Sequence, residues 1–428
     1  MAHILVVGGS LGGLLAANIL VREGHRVQVI EKAPATLDGR GAGIVTHAAL
    51  FEGLRRAGVT IDDSVGVEVT SRVALDTNGS VVSTRALTQV LSSWSRLYQL
   101  LRDALPADCL VAGTTARTVT ETTGSVRLDC EDGRSFEADL LVASDGLRSV
   151  VRQQFAPEVV PQYAGYIGWR GVCDEAVLSQ KTLSTVFDCF GFGLPPGEQL
   201  IGYPVAGAGN AIVRGKRRFN FVWYRPAQGE AELAALLTDA DGVHHPLGIS
   251  PNKVSWRHVA AMRTAARALL APQFAEIIEK TAQPFLQPIY DVCSSRIAFG
   301  RVLLMGDASF VARPHVGMGV TKAAQDAMAI ADCIGRLGAA PAAGLAYQEA
   351  RLAAGQAVVE RGRMLGRYMQ SQGSPNTVRR DSDEVLRETA IDLAPVVEAS
   401  IHAVPVVPVV PVVPVLPVAP KTKQRRHQ

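Results

Sequence analysis

Two patterns of hydrophobic and polar positions follow one another along the chain, and they predict different elements. The first opens the sequence with an apolar run at His3–Val7, a glycine-rich turn, and residues 14–24, whose apolar side chains recur at helical spacing. Gly24 supplies a C-cap for that helix, and a second apolar run then leads from Arg26 to Glu31. This order of strand, turn, helix and strand predicts a βαβ unit with parallel strands.

The same pattern returns twice, each time as a short apolar run that ends beside an aspartate and a glycine. The predicted buried strand Leu140–Ala143 ends at Asp145 and Gly146, and a helix is predicted to follow. The predicted strand Arg301–Met305 ends at Asp307, and a glycine-containing loop leads into a long helix. Both units are expected to extend the parallel sheet.

Between these units the pattern changes to short β-rich runs separated by turns. The predicted strands are Tyr163–Cys173, Gln199–Val205, Ala211–Arg214 and Arg218–Tyr224. Residues 256–281 return to helical spacing. They are predicted to cover the sheet that those strands form.

Composition and charge place the chain among globular proteins and exclude some partners. Hydrophobic residues make up 47% of the 428 residues and charged residues 19%, which is typical of a globular chain. The net charge of +3 comes from the last eight residues, which carry four basic side chains and no acid. Because the rest is close to neutral, we expect no nucleic-acid partner. No apolar run reaches the roughly 18 residues of a membrane helix, so no integral membrane association is expected.

The ends of the chain and the cysteines carry further expectations. The start lacks the basic region of a signal peptide, and the six cysteines have no metal-ligand spacing. We therefore expect free thiols, no metal and a cytoplasmic location. Residues 404–420 have a proline at every third position, which favours a polyproline II rod that ends in a basic tip. We predict a non-catalytic extension; a proline-rich ligand or a spacer toward an anionic surface is the alternative.

The first glycine turn has the composition of a nucleotide-binding turn, in which backbone N–H groups and a helix N-terminus meet at a pyrophosphate. The cofactor-binding residues predicted here are Gly8, Ser10, Leu11, Gly13, Glu31 and Lys32. Ser10 replaces the middle glycine of the G-x-G-x-x-G pattern, and its hydroxyl can donate to the phosphate. Glu31 can accept both ribose hydroxyls, which favours NAD or FAD over NADP at this site.

Two later segments favour FAD. A carboxylate at a strand end can bind the hydroxyls of a ribityl chain, and a helix N-terminus can stabilise negative charge on a reduced flavin. The residues predicted to do so are Asp145, Gly146, Asp307, Gly317, Met318 and Gly319. Taken singly, Asp145 can be a turn residue at the end of a strand, and Gly317 and Gly319 can be a helix cap or part of a turn. The order and separation of the three segments make the flavin interpretation the stronger one.

In this combination the chain resembles the FAD-dependent class A aromatic hydroxylases, the p-hydroxybenzoate hydroxylase-like family. The resemblance covers residues 1 to about 370 and rests on the glycine turn with Glu31, on Asp145-Gly146, and on Gly306-Asp307 with Pro314. Within the family the chain is most similar to the 2,6-dihydroxypyridine 3-hydroxylase subgroup. The segments that carry this similarity are residues 39–45, 92–102, 220–226 and 312–327.

The resemblance implies an α/β fold in which a discontinuous Rossmann-like FAD-binding domain carries an inserted mixed β-sheet substrate domain and C-terminal helices. The bounds implied for the FAD-binding domain are 1–70, 90–160 and 285–370. Those of the substrate domain are 71–89 and 161–284. A C-terminal helical segment, 371–403, and a disordered basic tail, 404–428, follow.

The resemblance also implies the reaction. NADPH or NADH reduces non-covalently bound FAD, O₂ forms a C4a-hydroperoxide, and one oxygen atom passes to an electron-rich ring of the hydroxypyridine or phenol type. The partners implied are a small aromatic substrate and O₂. The oligomeric state is open, with a homodimer as one option. One alternative is an epoxidase, a halogenase or another FAD oxidoreductase on the same scaffold. Another is a nucleotide-binding sensor or interaction protein that works through the proline-rich tail.

Two arginines are candidates for further cofactor contacts by resemblance. Arg40 precedes a short glycine-containing loop, where the family has an arginine near the FAD pyrophosphate. Arg96 lies on a predicted helix that the family places along the FAD. For each of them, a solvated surface arginine is the alternative.

The candidates for catalytic roles are His315, Pro314, His47 and Tyr203. His315, beside Pro314, could orient or deprotonate a substrate hydroxyl. His47 follows the loop that passes the flavin in the family, and a structural histidine is its alternative. Tyr203 on a predicted strand is expected to contact the substrate, with packing as the rival interpretation, whereas Tyr224 is expected to pack.

Overall fold

In a computed structural model of the chain, the described residues are 1–35, 37, 43–246, 248–370 and 380–392. The predicted polyproline rod, the basic tip and Arg40 lie outside them. The strands are β1 (His3–Val7), β2 (Arg26–Ile30), β3 (Gly43–Val45), β4 (Val67–Leu75), β5 (Val81–Ser93), β6 (Leu110–Val111), β7 (Ala116–Glu121), β8 (Val126–Cys130), β9 (Ser135–Ala138), β10 (Leu140–Ala143), β11 (Gln162–Asp174), β12 (Phe190–Gly193), β13 (Gln199–Val205), β14 (Arg218–Pro226), β15 (Phe285–Cys293), β16 (Ala298–Phe299), β17 (Val302–Leu304) and β18 (Phe310–Val311). The α-helices are α1 (Leu11–Arg22), α2 (Ala48–Arg56), α3 (Trp94–Ala104), α4 (Val150–Phe155), α5 (Gln180–Val186), α6 (Glu230–Leu236), α7 (Trp256–Leu269), α8 (Pro272–Lys280), α9 (Gly319–Leu337), α10 (Pro341–Gln370) and α11 (Ser382–Glu388). None of these described helices is long and apolar enough to cross a membrane.

A six-stranded sheet with the order β16-β17-β10-β1-β2-β6 forms the first layer. Its strands are parallel except β16, which pairs antiparallel with β17. Ile4 on β1 lies opposite both Val27 on β2 and Leu140 on β10. Strands from distant parts of the chain thus lie side by side, and the carboxyl ends of β1, β10 and β17 meet at one edge. Ligands of open α/β sheets bind at such an edge.

One hydrophobic core surrounds this sheet. Ile4, Leu5 and Val6 are fully buried, as expected for a parallel strand that is covered on both faces. Helices α1 and α9 pack against each other beside the sheet. The three-stranded antiparallel sheet of β7, β8 and β9 adds Val126 and Leu128 to the same core. The predicted α/β layer is confirmed.

A second, nine-stranded sheet has the order β18-β15-β11-β14-β13-β12-β4-β5-β3. Its strands pair antiparallel except β12 and β4, which are parallel, so the prediction of a mixed sheet is confirmed. Trp169 on β11 and Trp223 on β14 share a core with Phe274 of α8. As predicted for residues 256–281, α7 and α8 cover this face of the sheet, and the other face is left for the site.

One predicted strand is wrong. Residues Ala211–Arg214 form no strand, because β13 and β14 pair directly and the segment between them is a partly exposed connection. Gly209 and Gly215 bracket the segment at φ values of 62° and 84°, in the left-handed region that glycine favours. The β-rich composition of this segment therefore finds no partner strand.

The nine-stranded sheet extends beyond the bounds predicted for the substrate domain. Strands β3, β15 and β18 pair with it although they lie outside 71–89 and 161–284. Residues Met1–Asp392 cluster as one unit, so the division into two domains stays a prediction. The segment 380–392 adds α11 to the nine-stranded sheet, where Val385 and Leu386 share a core with residues of β4 and β5.

Candidate active site

A cavity of about 410 Å³ lies between the carboxyl edge of the six-stranded sheet and one face of the nine-stranded sheet. From the turns after β1, β10 and β17, its lining residues are Ser10, Leu11, Gly12, Ser144, Gly146, Gly306 and Asp307. From the nine-stranded sheet they include Arg170, Ile201, Tyr203, Asn220, Val222, Tyr224, Gln287 and Ile289. Pro314 and Gly317 contribute from the loop before α9, and Gly319 contributes from the first position of that helix. The cavity therefore joins predicted cofactor residues to the predicted substrate side.

The turn after β1 is as tight as a nucleotide-binding turn requires. Gly8 has a φ of 102°, and a Cβ there would lie 2.4 Å from the carbonyl oxygen of Ser144. A Cβ on Gly13 would lie 1.9 Å from the carbonyl oxygen of Gly8, so both positions need glycine. Ser10 is the N-cap residue of α1, yet its hydroxyl makes no capping bond, and Ser10 lines the cavity. That hydroxyl is available to an anion at the helix N-terminus.

Glu31 ties the end of β2 to this turn. Its Oε2 accepts a hydrogen bond from the Gly9 N–H at 2.7 Å, and its Oε1 accepts one from the Ala33 N–H at 2.8 Å. An ionised carboxylate has about four acceptor sites, so these two bonds leave capacity for ribose hydroxyls. Lys32, the next residue, is exposed and does not line the cavity.

The turn after β17 presents a carboxylate to the cavity. Asp307 lies deep in the protein, but its side chain faces the open cavity and accepts no hydrogen bond from another described residue. Burial raises the pKa of Asp307, an effect that the charge of Lys322 partly offsets. The turn is held by α9, because the Lys322 Nζ donates to the carbonyl oxygen of Gly306 at 2.8 Å. Such a carboxylate suits the hydroxyl groups of a polyol chain.

The turn after β10 contributes through its backbone. Gly146 has a φ of 83° and lines the cavity. Asp145 lies next to it but points toward α4, where its Oδ2 accepts a hydrogen bond of 3.4 Å from the Val151 N–H. Burial raises the pKa of Asp145. The structure thus brings Gly146 to the cavity and places Asp145 directly behind its lining.

The N-terminus of α9 closes the cavity from a third side. Gly317 has a φ of 67°, and a Cβ there would lie 2.7 Å from the Cβ of Ala390 in the C-terminal segment. Gly319 begins α9, and the first N–H groups of a helix have no intrahelical acceptor and favour negative charge. Met318 is the buried N-cap residue between them and does not line the cavity. Pro314 does line it.

These features fit FAD. The turn at Gly8 and Gly13 is tight, because a Cβ at either position would collide with a backbone oxygen, and the Asp307 carboxylate faces the cavity without a protein donor among the described residues. When FAD is bound, Ser10 and the start of α1 would hold its pyrophosphate, Glu31 its ribose and Asp307 its ribityl hydroxyls. The N-terminus of α9 would stabilise negative charge on the flavin ring.

The opposite wall is one face of the nine-stranded sheet. Tyr203 on β13 pairs with Asn220 on β14, and Arg170 on β11 pairs with Val222. Because side chains alternate along a strand, these residues present themselves to the same face, and all four line the cavity. At Gly43 the chain passes so close that a Cβ would lie 2.4 Å from a ring carbon of Tyr203.

Two phenols on this wall are available to a ligand. Burial raises the pKa of both Tyr203 and Tyr224, so both hydroxyls stay protonated at neutral pH. The Tyr224 hydroxyl is buried and has no hydrogen-bond partner within the described ranges. Tyr224 was predicted only to pack, whereas the structure places it in the cavity lining.

His315 lies behind this wall. Its imidazole is fully buried, contacts the Tyr224 ring with 3.9 Å between centroids, and is joined through Nε2 to the Tyr166 hydroxyl at 3.0 Å. Burial holds the pKa of His315 well below its usual value, so the ring is neutral. Tyr166 in turn lies against the guanidinium of Arg313, which pairs with Asp291. The predicted substrate contact of His315 is therefore indirect in this geometry.

His47 is also buried outside the cavity lining. It is the N-cap residue of α2, and its Nδ1 lies 2.9 Å from the Thr321 hydroxyl on α9. Burial lowers the pKa of His47 to about 4, and the nearby charge of Asp392 only partly opposes this. His47 thus joins α2 and α9 beside the cavity.

Arg96 lies on α3, away from the cavity lining. Its Nε donates to the carbonyl oxygen of Ser64 at 2.9 Å, and its Nη2 contacts the hydroxyl of the same residue. This arginine braces the loop before β4, and its contact with FAD stays a prediction.

Sequence reasoning missed several residues of the sheet wall. Arg170, Asn220 and Gln287 line the cavity but were not among the predicted site residues. The Asn220 side chain accepts a hydrogen bond of 2.9 Å from the Gly43 N–H, which holds β3 against the wall. A polar side chain inside an apolar strand was the available signal, because buried polar residues need a partner or a function.

Comparison with known proteins agrees with this geometry. A family model described as FAD binding domain matches residues 1–190 and 249–362, and one described as FAD binding domain-like matches residues 163–291. Together they cover most of the described chain.

Relatives of known activity match over most of their length. The 2,6-dihydroxypyridine 3-monooxygenase of Paenarthrobacter nicotinovorans is 32% identical over 77% of this chain and 82% of its own. The aurachin C monooxygenase/isomerase of Stigmatella aurantiaca is 29% identical over 82% of this chain and 85% of its own. The solved structure of 2,6-dihydroxypyridine-3-hydroxylase from Arthrobacter nicotinovorans superposes with a TM-score of 0.81, 29% identity and coverage of 88% of this chain and 95% of that one.

The family match, the relatives and the cavity lead to one assignment. The glycine turn, Glu31 and Asp307 fit FAD, and the family model spans the strands and turns that carry them. The chain therefore belongs to the FAD-binding domain family and is a FAD-dependent aromatic monooxygenase that uses NAD(P)H and O₂.

Proposed function

We propose that this enzyme hydroxylates a small aromatic ring of the hydroxypyridine or phenol type. The observation that carries the proposal is that the same cavity is lined by Asp307 and Gly319, at the N-terminus of α9, and by Tyr203 and Tyr224. The proteins most similar to this chain include a 2,6-dihydroxypyridine 3-monooxygenase, which supports the hydroxypyridine class.

In the proposed arrangement, bound FAD supplies the activation of O₂ with electrons from NAD(P)H. The residues of the chain position the cofactor and provide the electrostatic environment of the reacting groups. Ser10, Glu31 and Asp307 hold the cofactor against the carboxyl edge of the parallel sheet. The start of α9 at Gly319 stabilises negative charge at the reacting end of the cavity.

The substrate side orients the ring and excludes water. Tyr203 and Tyr224 are neutral phenols, so each can donate a hydrogen bond to an oxygen substituent of the ring. Ile201, Val222 and Ile289 make the rest of this wall apolar. An apolar wall keeps water from the reacting atoms, which protects reactive intermediates from hydrolysis.

We assign positioning roles to the buried histidines. The neutral His315 ring packs on Tyr224 and orients it toward the cavity. His47 fixes the start of α2 against Thr321 on α9, next to the glycines that would meet the flavin. Pro314 contributes to the cavity lining between these elements.

Turnover with a defined panel tests the proposal. We expect purified protein to carry FAD and to oxidise NADH or NADPH in air faster when a hydroxypyridine, hydroxybenzoate or phenol is added. The product should be one oxygen atom heavier than the substrate, and labelled O₂ should supply that atom. Comparing NADH with NADPH in the same assay gives the preferred reductant.

Other outcomes would overturn the proposal. Protein without FAD would remove its basis, and a product that has lost hydrogen without gaining oxygen would indicate a dehydrogenating oxidoreductase. Product NMR separates a hydroxylated ring from an epoxide, which has the same added mass. Release of NAD(P)H-derived peroxide with every ring tested would place the substrate outside this class.

We also propose a cytoplasmic enzyme that assembles as a homodimer. All six cysteines are free thiols, which supports a reducing compartment. Cell fractionation tests the location, and light scattering of the FAD-loaded protein tests the assembly. Secreted protein or a monomer would contradict the respective part.

A further inference from the structure

Arg170 brings a positive charge to the substrate side of the cavity. It lies on β11, opposite Val222 of β14, and belongs to the same sheet face as Tyr203 and Tyr224. Burial raises the pKa of the Tyr203 and Tyr224 hydroxyls, and the positive charge of Arg170 partly lowers it again, so Arg170 lies close enough to act on both phenols. Among the described residues that line the cavity, Arg170 is the sole cationic side chain.

No protein group described in the structure neutralises this charge. Arg170 has no ion pair or hydrogen bond within the described ranges, and its Nε is buried without a partner. Arg170 as a whole is half-buried. Two more deeply buried arginines are paired: Arg217 with Glu175 at 2.8 Å and Arg313 with Asp291 at 3.0 Å. The buried Nε of Arg170 is shielded from solvent and has no protein acceptor among the described residues, and an unsatisfied buried donor points to a ligand.

The neighbours of Arg170 cannot supply the anion. Tyr203 and Tyr224 stay protonated because burial raises their pKa. Asp307 is the sole acid among the described lining residues, and its charge is coupled to Lys322 and Arg152 rather than to Arg170. Among the described lining residues no group neutralises Arg170, so its counter-charge has to come from a bound ligand.

We propose that Arg170 is a substrate-binding residue that selects aromatic rings carrying an anionic oxygen. This inference rests on the proposed function and narrows its substrate class. The shared chemistry is a delocalised oxyanion, either a deprotonated ring hydroxyl or a ring carboxylate. The planar guanidinium donates two parallel hydrogen bonds to such a group, which a lysine cannot reproduce.

Ligand pairs that differ in charge test the inference. The FAD-loaded wild type and Arg170→Met are titrated with 4-hydroxybenzoate and 4-hydroxybenzamide, and with 2,6-dihydroxypyridine and 2,6-dimethoxypyridine, while the flavin absorbance reports binding. We expect Arg170→Met to raise the dissociation constant of one anionic ligand by about 10- to 100-fold and that of its neutral partner by less than about threefold. The pair that responds identifies the carboxylate or the ring oxygen as the source.

Two further variants separate a specific effect from general damage. Arg218→Met makes the same change on β14, where Arg218 pairs with Asp174 outside the cavity, and should leave both ligand pairs unchanged. Arg170→Lys keeps the charge and should retain part of the preference. If Arg170→Met does not fold, Arg170→Lys still tests the inference. A lysine variant that binds the anionic ligand as tightly as the wild type does, with the same preference over the neutral ligand, would show that no guanidinium is needed.

The outcomes distinguish this inference from the function on which it rests. If the wild type hydroxylates a ring and Arg170→Met still prefers the anionic ligand, the role of Arg170 is overturned and the proposed function stands. Loss of FAD affinity in Arg170→Met, with ligand preference unchanged, would make Arg170 a cofactor residue and also overturn it. A wild type with no turnover on any ring contradicts the function instead.

Discussion

At the scale of single residues, glycine and acidic positions in the turns carry the cofactor side of the site. Gly8, Gly13 and Glu31 were predicted from a short motif, and the structure brings Glu31, which follows β2, against the glycine turn, where it accepts the Gly9 N–H. The requirement at Gly13 is local, because a Cβ there would collide with the carbonyl oxygen of Gly8 five residues earlier. At Gly8 the collision is with Ser144, which is distant in sequence, so the motif and not the local contact identifies that position.

The glycine turn leads to a prediction that compares two glycines in helices. Gly13→Ala places a Cβ 1.9 Å from a carbonyl oxygen, and we expect a loss of at least about 2 kcal/mol in unfolding free energy with weakened FAD binding. Gly335 on α9 is exposed, and a Cβ added there would have no neighbouring atom within 4 Å, so Gly335→Ala should stabilise by about 0.5–1 kcal/mol. Urea unfolding and released-flavin fluorescence measure both effects. Wild-type stability and FAD content in Gly13→Ala would contradict this account of the turn.

At the scale of elements, the strands and helices of the parallel layer follow their hydrophobic pattern closely. His3–Val7 and Leu140–Ala143 form strands with the predicted bounds, whereas the second strand ends at Ile30, before Glu31 turns toward the glycines. The false strand at 211–214 had suitable residues but no neighbour to pair with, because strand formation depends on a partner that the local pattern does not contain.

The C-terminal segment 380–392 is an element that only the structure reveals as part of the site. Ala390 lines the cavity with a φ of 51°, and the buried Arg72 on β4 donates to the carbonyl oxygens of Leu386, Thr389 and Ala390. A single guanidinium thereby anchors this segment to the nine-stranded sheet and holds one side of the cavity closed.

Removing that anchor should loosen the segment. We expect Arg72→Met to lower the unfolding free energy by about 2 kcal/mol, because it removes the side-chain donor from the buried carbonyl oxygens of Leu386 and Thr389, whereas Gln89 still donates to that of Ala390. Hydrogen exchange of the amides in α11 should become faster, and FAD retention should fall. Arg85→Met, at the exposed cross-strand neighbour of Arg72, is the matched control and should change neither. Equal exchange protection in both variants would exclude the anchoring role.

At the scale of the whole molecule, the site exists because three distant parts of the chain converge. His47, the N-cap residue of α2, contacts the Thr321 hydroxyl on α9, and the charge of Asp392 in the C-terminal segment acts on its imidazole beside the cavity. Contacts of this kind decide whether a histidine faces a ligand or is buried, and the sequence around His47 contains no signal for either.

This convergence predicts how stability depends on pH. His47 has a pKa of about 4 when folded, against an ordinary value of 6.5, so the unfolded chain binds more protons between those values. Stability contributed by His47 is therefore present above pH 6.5 and is lost as the pH falls toward 4. Between pH 7 and pH 5 we expect a loss of about 2 kcal/mol from this group. The charges of Asp392 and Arg72 act on the same imidazole in opposite directions.

Urea unfolding at pH 7 and pH 5 measures this effect. The wild type and His47→Gln are compared, and the variant should lose about 2 kcal/mol less than the wild type over that interval. His258, a partly exposed histidine on α7, gives a matched control, since His258→Gln should keep the wild-type dependence. Identical pH dependence in wild type and His47→Gln would show that His47 titrates normally in the folded protein.

The sequence by itself determined the features that depend on near neighbours: the strands and helices of the parallel layer, the glycine turn, the acids that follow β2 and β17, and the cofactor that these residues suit. Only the tertiary structure decided which side chains share the cavity. Tyr224 and Arg170 come to the cavity, whereas His47 and His315 are buried behind its wall. Their placement depends on packing between residues that are far apart along the chain, and on whether a buried charge meets a partner there, so no local pattern could predict it.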